Sequence, residues 1–429
     1  MIDKLPTGLQ NLVFRTTTET RYVIFRIKLM RLDGKNTPNP ANIFWISPER
    51  IVYHTNYLKN GDEKAIPFYN RVFEREMRGK VVDGDWDIPS NRFTDLLVYK
   101  AIRQRTVEGA EWRDTEYYKS IVREVEAGLT PFGLRNINEI NNRCNYLDSL
   151  YLSIKNEGYH LSRNAYDKTV AFDEIDVNIG RNGEYLFQNG GHRLSIAKIL
   201  ALKYVPVRVF VRHKKWLDFR QFVLSYIQNS PTLKKGKLYQ PIIHPDLADV
   251  PYDLDDHNCE DLMKVISSKL GKKSGGKMLD LGANIGFFCH KFEDLGYHCI
   301  AVEIDPITFR ILEKIKIAEN KKFEMINKSV FEVNLFENKK FDVVIALNIF
   351  HHFLKNKTQF VQLKAMLKNM DTNELFFEPH LYEEEQMENS YVNFTPSQFV
   401  DFLLQNTSLT KSEVIYTAKN GRTVYKLSK

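Results

Sequence analysis

Two groups of residues in this 429-residue chain have types and spacings suited to chemistry. The first is Asp280, Gly282, Asn284 and Gly286, followed by Glu303. Asp280 closes a short apolar run (Met278, Leu279), and the turn Gly282-Ala283-Asn284-Ile285-Gly286 comes next. Glycines in such a turn let backbone approach a ligand, and the helix after it offers unpaired N–H groups. The second group is Asn189-Gly190-Gly191-His192-Arg193. A double-glycine turn feeding a helix, flanked by an imidazole and a guanidinium, makes an anion site suited to phosphate. Asp173, Glu174 and Asp176 lie close enough in sequence to serve it as a base. His351 and His352 form a further pair, able to take a proton from a hydroxyl or to pair with an anion.

These residues need elements to hold them. Around the first group the pattern predicts a strand, the turn, a helix, and a second strand from Cys299 to Val302 that delivers Glu303. That is the separation at which dinucleotide-type folds set a carboxylate on ribose hydroxyls, so an adenosine-containing cofactor is expected. GxGxxG spacing is absent, and no GK[ST] lysine is present to hold a phosphate. Asp280 would repel a pyrophosphate and suit a cation, which favours S-adenosylmethionine. Around the second group, strands are expected at Ile175–Ile179, Glu184–Phe187 and Val205–Val211, with a helix over Leu194–Leu202. Upstream, Tyr22–Met30 reads as a strand, and Phe93–Arg105 and Thr115–Ala127 as helices. The turn Asp83-Gly84-Asp85-Trp86-Asp87 could bind a cation or present a base, and Trp112 and Trp216 read as packing residues.

The segment from Lys277 to Asp305 resembles motif I of the class I S-adenosylmethionine-dependent methyltransferases. That resemblance extends over roughly the last 175 residues and implies an α/β Rossmann-like fold. It assigns the cofactor to Asp280, Gly282, Asn284, Gly286, Glu303 and Asn348. Later runs at Phe323–Ile326, Phe341–Leu347 and Glu374–Phe377, the last ending in Glu378, look like the third, fourth and fifth strands of that family. Ser329 or its neighbours would meet the adenine, where many members have an aspartate. Asn142 to His213 resembles the ParB/sulfiredoxin superfamily, whose GxxR-type box contacts nucleotide phosphates, which implies an α+β domain and ATP with Mg2+. The box lacks the sulfiredoxin cysteine, since Gly191 precedes His192. It also lacks the acidic residue of the kinase members, since Asn189 stands there. Asn348-Ile349-Phe350-His351-His352-Phe353 resembles the loop of bifunctional kinase–methyltransferases that cap bacterial O-antigen chains.

Composition bounds the rest. With 43% hydrophobic and 12% aromatic residues, the chain can bury cores. No apolar run approaches the roughly 20 residues that span a bilayer. The four cysteines show neither CxxC pairing nor metal-ligand spacing, so a reduced, cytoplasmic protein without a bound metal is expected. The net charge of +7 resides in the first 250 residues, since the remainder holds 23 Lys+Arg against 25 Asp+Glu. That excess suits an anionic ligand. Residues 1–140 are expected to extend the first domain and 141–240 to form the ParB-like domain. A linker over 241–252 would then lead to the methyltransferase at 253–429. Lys234 and Lys235 read as solvated linker, and Glu383-Glu384-Glu385 as an exposed face or a lid.

Together these point to a bifunctional enzyme: an O-methyltransferase joined to a ParB-like kinase, acting on a glycan hydroxyl or its phosphate. The alternatives are a nucleic-acid-binding protein that methylates RNA or DNA, and a first half that only docks substrate. Base methylation is disfavoured, because Asn348 is not followed by Pro-Pro and no Pro-Cys nucleophile occurs in this half.

Overall fold

The computed structural model describes residues 42–55, 77–88, 91–161, 174–231, 236–254, 258–337 and 339–429, with Pro38, Phe73 and Leu233. The strand expected at Tyr22–Met30, the candidate base Asp173, and Lys234 and Lys235 lie outside the described residues. The chain divides into two compact units, residues 1–221 and 222–429.

In the first unit, strands β1 (Ile43–Ile46), β2 (Tyr53–His54) and β3 (Val81–Val82) precede three helices. These are α1 (Leu97–Thr106), α2 (Glu116–Glu126) and α3 (Ile137–Glu157). Then come β4 (Ile175–Ile179), β5 (Tyr185–Asn189), α4 (Gly191–Ile199), β6 (Val205–His213) and α5 (Lys214–Asn229), within which the division at residue 221 falls. The sheet runs β1-β6-β4-β5-β2, with β3 also on β6. Pairing is mixed, antiparallel for β4/β5 and parallel for β4/β6. Strands from before and after the three helices therefore share one sheet, and α3 runs through residue 140. Trp112, Tyr117, Ile121, Ile140, Leu147 and Ile196 bury one apolar cluster that ties α2 and α3 to α4. Thr115 caps α2 by accepting from the Tyr118 N–H, as a residue with a short hydroxyl does at a helix start.

The second unit holds α6 (Cys259–Lys269), β7 (Lys277–Leu281), α7 (Phe287–Asp294), β8 (His298–Val302), α8 (Pro306–Ala318) and β9 (Glu324–Ile326). It continues through β10 (Phe341–Leu347), α9 (Lys357–Lys368), β11 (Thr372–Glu378), α10 (Pro396–Asn406), β12 (Lys411–Thr417) and β13 (Thr423–Ser428). The seven strands lie in the order β12-β13-β11-β10-β7-β8-β9. All pairs are parallel except those made by β13. Alternation along the strands splits the core in two. Met278, Val343 and Ile345 join one buried cluster with α6 and α7 residues. Leu279, Val344 and Ala346 join another with α9 and α10 residues. A parallel sheet covered on both faces needs such continuous apolar strands. Ligands in open sheets of this kind bind at the carboxyl ends of the strands.

Candidate functional site

A cavity of about 280 Å³ opens at those carboxyl ends. Its lining includes Gly282 and Asn284 after β7, Glu303 and Ile304 after β8, Asn348 and His352 after β10, and Glu378 ending β11. Cys259 and Leu262 of α6, Tyr239 and Gln240, and Tyr416, Ala418 and Val424 of the β12–β13 hairpin complete the wall. Among the described residues the lining contains two carboxylates and no lysine or arginine.

Glu303 is pinned from both sides. Its Oε2 accepts from the Asn284 N–H at 2.8 Å and its Oε1 from the Asp305 N–H at 2.7 Å. Burial pushes its carboxyl up from the ordinary value, while those amides pull it back. Asn284 takes a left-handed φ of 53° to reach it. Asn327 donates to the Glu303 carbonyl at 2.8 Å and so fixes the same corner.

Asp280 does not stand where the sequence reading put it. It is 2% exposed, absent from the cavity wall, and accepts from the Cys289 thiol at 3.7 Å. Burial pushes its carboxyl up to about 7. The two turn glycines also answer to packing. A Cβ on Gly286, whose φ is 82°, would lie 2.1 Å from Leu312 Cδ1, and one on Gly282 would lie 2.7 Å from Ile349 Cδ1. The helix that follows is not open either, because the Phe287 N–H donates to Gln240 Oε1 at 3.1 Å. Ser329 is away from the cavity wall, and its hydroxyl accepts from the Phe331 N–H within its own turn.

Of the two histidines, His352 lines the cavity. His351 is buried, with ring centroids 4.0 Å from His352 and 5.8 Å from His380. Burial pushes His351 down to about 2 and His352 to about 4, and the charges of Lys355 and Arg422 act in the same direction on both. Both shifts favour the neutral imidazole in the unliganded chain. Glu384 is not an exposed face. It sits in a fork with Arg422, which also donates to Asn348 Oδ1. Sequence reading missed Glu378 and Arg422 as site residues. Glu378 ends β11 as Glu303 follows β8, and that repetition was the available signal.

In the first unit, Gly190 has φ 87°, and a Cβ there would meet Ile175 Cα at 2.9 Å. It turns the chain from Asn189 into α4, which begins at Gly191. His192 Nε2 is hydrogen-bonded to the Tyr117 hydroxyl at 2.8 Å, and its ring packs against Phe132 at 5.8 Å. Burial, with Arg143 and Arg193 nearby, pushes His192 down to about 3. At neutral pH the cationic charge around this turn therefore belongs to Arg193 and Arg143. The two described candidate bases are already engaged. Asp176 pairs with Arg78 at 2.9 Å and Arg208 at 3.5 Å, and Glu174 Oε2 accepts from the Tyr159 hydroxyl at 2.8 Å. The acidic turn does hold a cation, the guanidinium of Arg181, which bonds Asp85 and Asp87 at 2.7 Å each. His213 Nε2 meets the Gly84 carbonyl at 2.8 Å beside it. Trp112 and Trp216 are packing residues, 7% and 0% exposed. Among the described residues no cluster of metal-ligating side chains occurs, and no helix is long and apolar enough to cross a membrane. The four cysteines are free and buried.

Residues 254–409 match the family model described as a methyltransferase domain. Among solved structures, monomeric WbdD is 20% identical over 48% of this chain and 48% of its own, with a TM-score of 0.37. A second WbdD structure, titled a bifunctional kinase-methyltransferase, is 18% identical over 48% and 46%, with a TM-score of 0.38. N-methyltransferase NodS from Bradyrhizobium japonicum WM9, in complex with S-adenosyl-l-homocysteine, is 13% identical over 42% and 92%, with a TM-score of 0.34. The chain spans about half the length of the WbdD structures it matches. No curated protein sequence matches it. The family match carries the assignment: the second unit contains a methyltransferase domain with a Rossmann-like sheet.

Proposed function

We propose that the second unit binds S-adenosylmethionine and methylates a hydroxyl of a glycan. The carrying observation is the cavity wall, which joins Glu303 to Glu378 with no lysine or arginine between them. Such a wall suits an adenosine cofactor that bears cations and lacks phosphate. Glu303 would hold the ribose hydroxyls, with Ile304 and Leu262 supplying apolar surface. S-adenosylmethionine supplies an electrophilic methyl group on a sulfonium. The protein's own task is then placement, because methyl transfer needs the acceptor oxygen in line at about 3 Å. Asn348, His352 and Glu378 face that approach, and neutral His352 can accept a hydrogen bond from a hydroxyl. With no lysine or arginine among the described lining residues, a hydroxyl acceptor is favoured over a phosphate.

The first unit, in this reading, binds the phosphates of ATP or a phosphorylated substrate at Asn189 to Arg193, supported by the tight Gly190 turn and the guanidinium of Arg193. A kinase activity would need a base other than Asp176, which two arginines occupy. The experiment has two arms. Calorimetry with S-adenosylhomocysteine should show binding that Glu303→Ala abolishes, and labelled methyl transfer to a panel of mannosyl and glucosyl glycans should yield an alkali-stable ether. Methyl transfer to oligonucleotides instead would replace the glycan reading. Retained ATP binding in His192→Ala/Arg193→Ala would remove the box from the nucleotide site.

A further inference from the structure

We infer that Glu378 is the counter-charge that makes the cavity prefer the sulfonium cofactor to its neutral thioether product. The inference rests on the methyltransferase reading above and adds a residue and a selectivity to it. The cavity runs from Glu303 after β8, past Gly282, to Asn348 and Glu378 at the ends of β10 and β11. A cofactor with its ribose at Glu303, lying along the order β8-β7-β10-β11, would bring its sulfonium-bearing end toward Glu378. Glu303 is held by two backbone N–H groups, one on each oxygen, and in this reading serves the ribose. Glu378 is the other carboxylate in the wall, and it is 4% exposed.

When the methyl leaves, the S–CH3 bond breaks, its electron pair stays on sulfur, and the sulfonium charge vanishes. The α-amino and α-carboxyl groups are the same in both molecules. A carboxylate beside the sulfur therefore distinguishes the two by one charge, at low dielectric and with no lysine or arginine among the described lining residues. Groups facing Glu378 come from each neighbouring element: Arg422 from the β12–β13 turn, Glu384 after β11, Cys259 from α6 and Tyr416 from β12. The Arg422 charge is spent on Glu384 through a two-bond fork. Burial pushes the Glu378 carboxyl up to about 7, against the pull of Arg422, so near neutral pH the empty site holds it partly protonated. Binding a sulfonium expels that proton; binding the thioether does not.

The test is calorimetry on the whole chain with S-adenosylmethionine and S-adenosylhomocysteine, in two buffers of different ionisation enthalpy. At pH 7 the wild type should release about half a proton with the first ligand and none with the second. At pH 8 it should bind the first at least about tenfold more tightly, and that ratio should narrow at pH 6. Glu378→Gln should abolish both the proton release and the preference while keeping the S-adenosylhomocysteine affinity. Equal weakening of both ligands by Glu378→Gln would place the carboxylate at the ammonium or in the scaffold, and would overturn the inference. So would a wild type that binds both ligands without proton release, a readout that does not depend on the variant folding. Failure of the wild type to bind either ligand would instead remove the cofactor assignment itself.

Discussion

Arg422 grips Glu384 with two parallel hydrogen bonds, Nε to Oε1 at 2.8 Å and Nη2 to Oε2 at 2.6 Å, and its remaining nitrogen donates to Asn348 Oδ1. The β12–β13 hairpin is thereby tied to the loop after β10 and to the segment after β11, around one cavity. The fork is largely buried, with side-chain exposures of 8% and 18%. Arg422→Ala leaves Glu384 without its partner and should lower the melting temperature by several degrees. Arg422→Lys should recover little, because an ammonium cannot make the paired geometry. Thermal melts of both variants check this; full recovery by lysine would show that charge alone matters.

Gly286→Ala should destabilise the second unit by about 2–4 kcal/mol, since the new methyl meets Leu312 Cδ1 and φ is positive. Adding Leu312→Ala should return part of that loss, because it removes the clash and leaves only the strained φ. Urea midpoints of the single and double variants measure the coupling, and strictly additive losses would show that Leu312 is not the obstacle.

The Glu378 carboxyl has an unfolded value near 4.5 and is pushed to about 7 by burial. Its folded value is raised, so its contribution is fully present below pH 4.5 and is lost as pH rises through 7. The shift corresponds to about 3 kcal/mol. Apo Glu378→Gln should therefore melt above wild type at pH 8, and the gap should shrink toward pH 5. Paired melts across that range decide it; a gap that widens on acidification contradicts the sign.

Asp176→Asn should act through stability rather than chemistry. Asp176 is 1% exposed between Arg78 and Arg208, and removing its charge takes the carboxylate from both ion pairs. The expected cost is about 3 kcal/mol in the first unit. Unchanged melting together with lost ATP turnover would restore Asp176 as a base.

Much of the second unit was legible because parallel strands buried on both faces are continuous apolar runs bounded by turns. Strands β7 and β8 and the place of Glu303 in the fold followed from that pattern, while β9 to β11 followed from the resemblance to methyltransferases. The role of Asp280 did not, because local sequence records that a carboxylate ends a strand but not which way it faces. Asp280 is buried and accepts from the Cys289 thiol, nine residues on. Arg422 reaches Asn348 across 74 positions, and Arg181 reaches Asp87 across 94. Pairings at that range leave no periodic trace, which is why the acidic turn read as an open cation site. His192 read as a cation because the Tyr117 hydroxyl and the ring of Phe132 arrive from a different part of the chain.

Strand β13 follows β12 in the chain yet lies between β11 and β12 in the sheet. The cavity wall draws on residues from Tyr239 to Val424. A nascent chain on the ribosome thus exposes the unpaired edge of β11 until residues 423–428 emerge. Val424 of β13 belongs to the cavity wall, so the wall is complete only once that strand has inserted between β11 and β12.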